Sequence, residues 1–380
     1  MKDFENKPRE PGTPATAPVA PPQALPEEPL RLLTRGSPLA RRQTDAWIAA
    51  LAGRGLRSEA SVVATHGDRD RSTPLACFGG FGAFVKALED RLVAGEAEGA
   101  VHSLKDVPIR QPQGLVVAAV LPRGPARDLL IPRIPIRSPL ELPFGARIGT
   151  ASLRRGSQLR AIRSDLVPVC IRGNVDTRLR KLAAGECDAL IMAEAGLLRL
   201  GREVPEAIPL EILPAPAQGA VALEVRGGSS LEAAARTLNH RPTWLEVCAE
   251  RAALAAFGRG CALPFAGRAH FIDEAPGDRL LLRAAIYDAE GEAEEAWGIL
   301  DGSGLRVAPG IPPAPEKLPR ARRVARLDDQ EAWLLGEAVW GVLADTELAN
   351  RLLREEEAQE RAFRELTAKN DIRPVEGESR

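Results

Sequence analysis

Residues 147–163 read Arg-Ile-Gly-Thr-Ala-Ser-Leu-Arg-Arg-Gly-Ser-Gln-Leu-Arg-Ala-Ile-Arg. Arg147–Gly149 is a strand end, Thr150-Ala151-Ser152 a turn, and a helix follows over about Leu153–Arg163. The pattern then repeats. Val167–Ile171 reads as a strand, and Asn174 caps a helix in which Val175, Leu179 and Leu182 share a face before Gly185 ends it. Ala189–Ala193 is the next strand. Working back, Leu30–Leu33 is a strand, and Ser37-Pro38 opens a helix over about Leu39–Leu51. Residues 61–65 form a second strand, Phe84, Leu88 and Leu92 stripe a helix from Ala83 to about Ala94, and Gly99–Leu104 is a third strand. Strands alternating with helices of about 10–15 residues predict parallel sheets with crossover helices. Ligand-binding loops then belong at the carboxyl ends of the strands, where Arg35, Asp106, Ser152 and Arg172 fall.

Beyond Arg226 the texture changes to α+β. Helices around Ser230–Leu238 and Thr243–Phe257 precede alternating segments such as Leu280–Tyr287, and a helix starts at Asp328. Pro309–Pro319 holds five prolines and reads as a loop, and the first 29 residues hold eight. Met1–Pro29 is expected to be a disordered tail with no targeting function. No run approaches the ~18 apolar residues of a membrane span, so a cytoplasmic chain is expected.

The five cysteines form no CxxC pair, and the four histidines show no ligand spacing, which argues against disulfides and metal. Net charge is −1, yet residues 147–181 hold nine Lys/Arg against Asp165 and Asp176. These arginines fall at element junctions, as a site for anions requires. Aromatic residues are 4% with a single Tyr, too few for a base-stacking surface, so no nucleic-acid partner is expected.

Four features carry chemistry. Ser152 with Arg154-Arg155 at a helix start offers backbone NH groups, a hydroxyl and two guanidinium forks to a carboxylate or phosphate. Arg172-Gly-Asn-Val-Asp-Thr-Arg178 puts two more arginines beside a strand-to-helix turn. Lys105-Asp106 ends an apolar strand with a carboxylate suited to holding a cation or moving a proton. Cys261 sits on the glycine-flanked turn Phe257-Gly-Arg-Gly-Cys-Ala-Leu-Pro264, a nucleophilic sulfur for covalent attachment. Gly79-Gly-Phe-Gly82 matches no nucleotide-binding fingerprint and reads as a lid loop.

In chain order, these segments resemble the hydroxymethylbilane synthase (porphobilinogen deaminase) family over roughly residues 30–300. The blocks are Thr34-Arg-Gly-Ser-Pro-Leu-Ala40, Phe84-Val-Lys-Ala-Leu-Glu89, Val101-His-Ser-Leu-Lys-Asp-Val-Pro108 and Gly149-Thr-Ala-Ser-Leu-Arg-Arg155. Arg172-Gly-Asn-Val-Asp-Thr-Arg-Leu179, Ala195-Gly-Leu-Leu-Arg-Leu-Gly201, Ala217-Gln-Gly-Ala220 and Gly260-Cys261 follow. The resemblance implies an α/β fold of two periplasmic-binding-protein-like lobes plus a small α+β C-terminal domain. Its expected divisions are a tail at 1–29, lobe 1 at 30–121 with 216–237, lobe 2 at 122–215, the cysteine domain at 240–350 and a charged extension at 351–380. It implies a monomer that joins four porphobilinogen units, with loss of ammonia, on a dipyrromethane cofactor held by Cys261. Asp106 is then catalytic. Lys105, Thr150, Ser152, Arg154, Arg155 and Arg172 hold the cofactor, and Arg35, Ser37, Arg178, Arg199 and Gln218 hold substrate. The competing expectation is a diverged, non-catalytic paralogue that binds carboxylated pyrroles.

The chain departs from the family pattern. Cys77 and Phe81 stand where lysines are usual, Ala83 replaces a larger apolar residue, and Ala151 replaces a serine. Pro216-Ala217 replaces Val-Gly, and Arg259-Gly-Cys-Ala262 replaces Gly-Gly-Cys-Gln. A charge-assisted hydrogen bond is worth about 1.5–3 kcal/mol, so losing two cations should slow elongation without changing the reaction. Phe81→Lys should therefore raise the steady-state rate, and equal rates at every substrate level would count against this expectation.

Overall fold

The computed structural model describes residues 28–63, 85–257, 264–272, 279–301, 304–313 and 327–354. The Gly79–Gly82 loop, Ala83, Cys77, Phe81, Cys261, the tail up to residue 27, residues 314–319 and the extension beyond residue 354 lie outside them.

The strands, in chain order, are β1 Leu30–Arg35, β2 Ser58–Val63, β3 Gly99–Ser103, β4 Leu115–Val120, β5 Asp128–Pro132, β6 Arg147–Gly149 and β7 Val167–Val169. They continue as β8 Ala189–Ala193, β9 Ile208–Pro209, β10 Val221–Arg226, β11 Phe265–Phe271, β12 Arg279–Tyr287, β13 Ala293–Asp301 and β14 Gly304–Pro309. They build three sheets, ordered β2-β1-β3-β10-β4, β7-β6-β8-β5-β9 and β11-β12-β13-β14. The first two sheets are α/β lobes, and the chain crosses between them twice, after β4 and before β10.

Neither lobe is purely parallel, which differs from the alternation read in the sequence. β1, β2 and β3 run parallel, as do β6, β7 and β8, but β10 is antiparallel to β3 and β5 antiparallel to β8. The reversed strand in each lobe is the one that follows a crossover. The crossovers reach each lobe from the side where its parallel strands end, so the entering strand must run away from that side.

Alternation along the strands sorts the two faces of lobe 1. Leu32, Val101 and Leu223 pack with Trp47 of the Pro38–Ala52 helix, while Leu33 and Ala100 pack with Leu88 and Leu92 of the Lys86–Val93 helix. In lobe 2, Gly149 admits no side chain, because a Cβ there would lie 2.5 Å from Leu190 Cδ2 and 2.9 Å from Cys187 Sγ. The third sheet is an antiparallel meander covered by the Arg241–Ala256 and Asp329–Ala344 helices, where Phe257 packs against Trp340 with the rings tilted by 58° and centroids 4.6 Å apart.

A cluster of ionisable groups lies inside lobe 1. His102 Nε2 is 3.0 Å from Glu224 Oε2, and Glu89 is buried nearby with Oε1 unpartnered among the described residues. Burial raises the Glu89 carboxyl to about 7, Glu224 adds to the rise, and His102 opposes it. A carboxyl with a raised folded pKa stabilises the fold at low pH, and that stability is lost as pH climbs from its ordinary 4.5 through about 7. Glu89→Gln mimics the protonated form, so it should flatten the fall in Tm between pH 5 and 8. Parallel Tm–pH curves for variant and wild type would contradict this.

Candidate active site

Asp128, the first residue of β5, is fully buried where the first crossover enters lobe 2. Its carboxylate accepts from Arg154 Nη2 at 2.7 Å, Arg155 Nη2 at 2.7 Å and Gln218 Nε2 at 2.9 Å. Burial alone would raise its carboxyl, but the Arg155 and Arg154 guanidiniums outweigh this and hold it well below the usual carboxylate range. The arginines are delivered by the Leu153–Ile162 helix, whose Ser152 cap accepts from the Arg155 amide, while Thr150 Oγ1 accepts from the Ser152 amide at 3.1 Å.

Gln218, on the second crossover, also donates to the Ala126 carbonyl at 2.6 Å, and its Oε1 lies 3.3 Å from Lys105 Nζ. A polar chain thus runs from Lys105 of lobe 1 through Gln218 and Asp128 to the paired arginines of lobe 2. Ala217 adopts φ 60, a left-handed conformation costly for a residue with a Cβ. Its amide donates to Glu250 of the third unit.

Lys105 and Asp106 sit in a single 3-10 turn, Leu104–Asp106, directly after β3. Burial pushes the Lys105 ammonium down to about 8, with Asp106 opposing and Arg155 reinforcing the shift. Burial likewise pushes Arg178 down to about 10, reinforced by Arg155 and Arg172 and opposed by Asp106. Lys105, Asp106, Arg155, Arg172 and Arg178 therefore share one electrostatic neighbourhood.

Three of these groups keep capacity for a ligand. Among the described residues, Asp106 accepts no hydrogen bond and joins no ion pair, and Arg155 Nε is buried without an acceptor. Arg178 uses Nε on the Gly173 carbonyl at 2.7 Å and, among the described residues, leaves both terminal nitrogens without an acceptor. This arrangement suits a carboxylated ligand carrying a positive centre, with guanidiniums for its acids and Asp106 for the cation.

Other expected site residues are placed differently. Both terminal nitrogens of Arg154 are engaged, on Asp128 and on the Leu213 carbonyl at 2.5 Å, so it frames the site. Gln218 is likewise tied on both ends of its amide. Arg199 Nη2 donates to the Gly219 carbonyl at 2.5 Å, bracing the crossover. Ser37 caps its helix by accepting from the Ala40 amide at 3.2 Å, and Arg35 is half-buried at the end of β1.

The cationic excess over 147–181 also divides. Arg147 pairs with Asp188, Arg163 with Asp165 and Lys181 with Glu186, while Arg160 donates to the Ala289 carbonyl. Two residues that organise the centre were not singled out from the sequence. Asp128 precedes Leu129-Leu130-Ile131 and belongs to none of the motifs quoted above. Glu250, fully buried, receives a two-pronged bond from Arg123 at 2.8 and 2.9 Å and so ties the first crossover to the third unit.

The fold and site define a two-lobed α/β protein whose guanidinium and carboxylate groups converge where the chain crosses between its lobes. A family model described as porphobilinogen deaminase, dipyromethane cofactor binding domain, matches residues 30–233. The chain is 46% identical over 274 residues to the porphobilinogen deaminase of Leifsonia xyli subsp. xyli, covering 70% of this chain and 82% of that protein. It is 45% identical over 267 residues to that of Rubrobacter xylanophilus, covering 70% and 86%, and 44% identical over 299 residues to that of Syntrophus aciditrophicus, covering 72% and 96%. The chain belongs to the porphobilinogen deaminase family. Among solved structures, the methionine-binding protein MetQ aligns over 55% of this chain and 87% of its own at 10% identity and TM-score 0.37, a likeness too slight to add to the topology.

Proposed function

We propose that the chain is a transferase of tetrapyrrole biosynthesis, joining four porphobilinogen units with loss of ammonia into linear hydroxymethylbilane on a covalent dipyrromethane. The observation that carries this reading is the half-buried Asp106, without a hydrogen-bond partner among the described residues, set beside Lys105, Arg155 and Arg178.

The residues present fit the cofactor. A dipyrromethane bears four carboxylates, and the orphaned Arg155 Nε and the terminal nitrogens of Arg178 offer donors to such acids. Cys261 would hold it through a thioether, with Lys105, Arg155 and Arg172 on its acids and Thr150 and Ser152 shaping the loop beneath. When bound, the dipyrromethane supplies the pyrrole terminus on which the chain grows.

Asp106 stabilises the methylene-pyrrole cation left when ammonia departs from porphobilinogen, and it accepts the ring proton released after the new carbon–carbon bond forms. Arg35, Ser37 and Arg178 hold the acids of incoming substrate. Arg154, Gln218 and Arg199 act through the frame, keeping Asp128 and the crossovers in place. We assign the lobes to 30–121 with 216–237 and to 122–215, and the cysteine domain to 240–350. We also propose a cytoplasmic monomer that needs neither nucleic acid nor membrane; among the described residues no helix is long and apolar enough to cross a membrane.

The test is the intact mass of the purified chain, which should exceed the sequence mass by two linked pyrrole units and colour with acid Ehrlich reagent. Bare protein from a heme-making host would contradict the proposal, and Cys261→Ser should give bare protein.

A further inference from the structure

The geometry points to Arg251 as a positioning residue that locks the Asp106 turn onto the cysteine-bearing unit. This rests on Asp106 being the catalytic carboxylate. Arg251 belongs to the Arg241–Ala256 helix of the third unit, yet its guanidinium reaches into lobe 1. Nη1 donates to the Val107 carbonyl at 2.9 Å and lies 3.5 Å from that of Leu104, and Nη2 donates to the Pro108 carbonyl at 2.8 Å. These carbonyls bracket Lys105 and Asp106 on both sides.

A single-turn 3-10 helix has few internal bonds with which to hold its own shape. Here the internal closure is the Val107 amide on the Leu104 carbonyl at 3.1 Å. One planar fork spanning three carbonyls fixes the rest, and it is cationic, so each bond is charge-assisted. Apolar contacts reinforce the same joint. Val247, one helical turn before Arg251, is buried with Leu104 and Val107, and Ile109 packs against the core of the third unit.

The same helix ends at Ala256, five positions before Cys261. The element that clamps the Asp106 turn therefore leads, along the sequence, into the segment bearing the thiol. Arg251 is a positioning residue and is not itself placed against substrate or cofactor. Its part is to hold Asp106 at a fixed depth relative to the unit that anchors the growing chain.

The experiment compares holoenzymes of wild type, Arg251→Gln, Arg251→Lys, Asp106→Asn and the Arg251→Gln/Asp106→Asn pair. Each is checked by intact mass for its primer before kcat, KM and the pH profile are measured with porphobilinogen. Misplacing a catalytic group by about 1 Å costs up to ~100-fold, so Arg251→Gln should lower kcat by about 10- to 100-fold at full primer load. KM should stay within about 3-fold, because the groups that bind the substrate acids are untouched. Arg251→Lys keeps the charge without the fork and should fall between the two.

In the Asp106→Asn background, Arg251→Gln should change kcat by less than about 2-fold, since both act through one carboxylate. Wild-type kcat in primer-loaded Arg251→Gln would overturn the inference, and so would an undiminished effect in the Asp106→Asn background. If Arg251→Gln does not fold, Arg251→Lys alone decides by the same kcat criterion. Full activity of Asp106→Asn would instead remove the catalytic assignment on which the inference stands.

Discussion

Asp106→Asn should lower kcat by about 10²–10⁴-fold while the protein keeps its primer and its fold. Asparagine matches aspartate in size but offers no charge to a cation and no base to a proton. The carboxylate makes no hydrogen bond among the described residues, so little structure depends on it. Tm should therefore move by no more than a few degrees. A second effect follows from charge. Asp106 opposes the burial that pushes Lys105 down to about 8, so its removal should take Lys105 lower still. The loss of activity as the ammonium gives up its proton should then begin at lower pH than in wild type. Retention of more than a tenth of wild-type kcat would contradict the role given to Asp106.

Asp128→Asn should act first on stability, by about 3–5 kcal/mol, the scale of breaking a buried ion pair from one side. The change is near-isosteric, so packing is preserved and the effect is electrostatic. It leaves Arg154 and Arg155 buried with no carboxylate between them. The new amide must also meet the Gln218 Nε2 donor, which now faces a group with one acceptor oxygen. Urea unfolding at neutral pH measures the loss directly. Activity should fall as well, because Arg155 and the Lys105–Gln218 contact are both held through this residue. A shift below about 1 kcal/mol would mean that the arginines find other acceptors and that the frame does not rest on Asp128.

The elements legible in the sequence are those whose cause is local. Ser152 precedes its helix by one residue and bonds within three, and Asn174 does the same for the helix at Val175–Ala183, so both caps can be read from neighbouring letters. The α/β alternation is likewise written in short apolar runs. Strand direction is different: β5 and β10 look like other apolar runs, and only the crossovers that precede them reverse their sense. The centre of the site is non-local in the same way. Asp128 meets its arginines 26 and 27 positions away and Gln218 at 90, and Arg251 reaches carbonyls 143 to 147 positions upstream. No pattern in a single sequence joins such partners. The motifs that mark Arg155, Arg178 and Asp106 as candidates also mark Arg154, whose terminal nitrogens the fold turns inward to its frame.

On the proposed function, an anionic pyrrole chain grows on this protein, with Asp106 driving each addition. The most direct test is intact mass spectrometry of the holoenzyme after brief mixing with a few equivalents of porphobilinogen. A ladder of species heavier by one to four deaminated pyrrole units, absent in Asp106→Asn, is the predicted result. A single peak at the starting mass, from protein that already carries its primer, would contradict it.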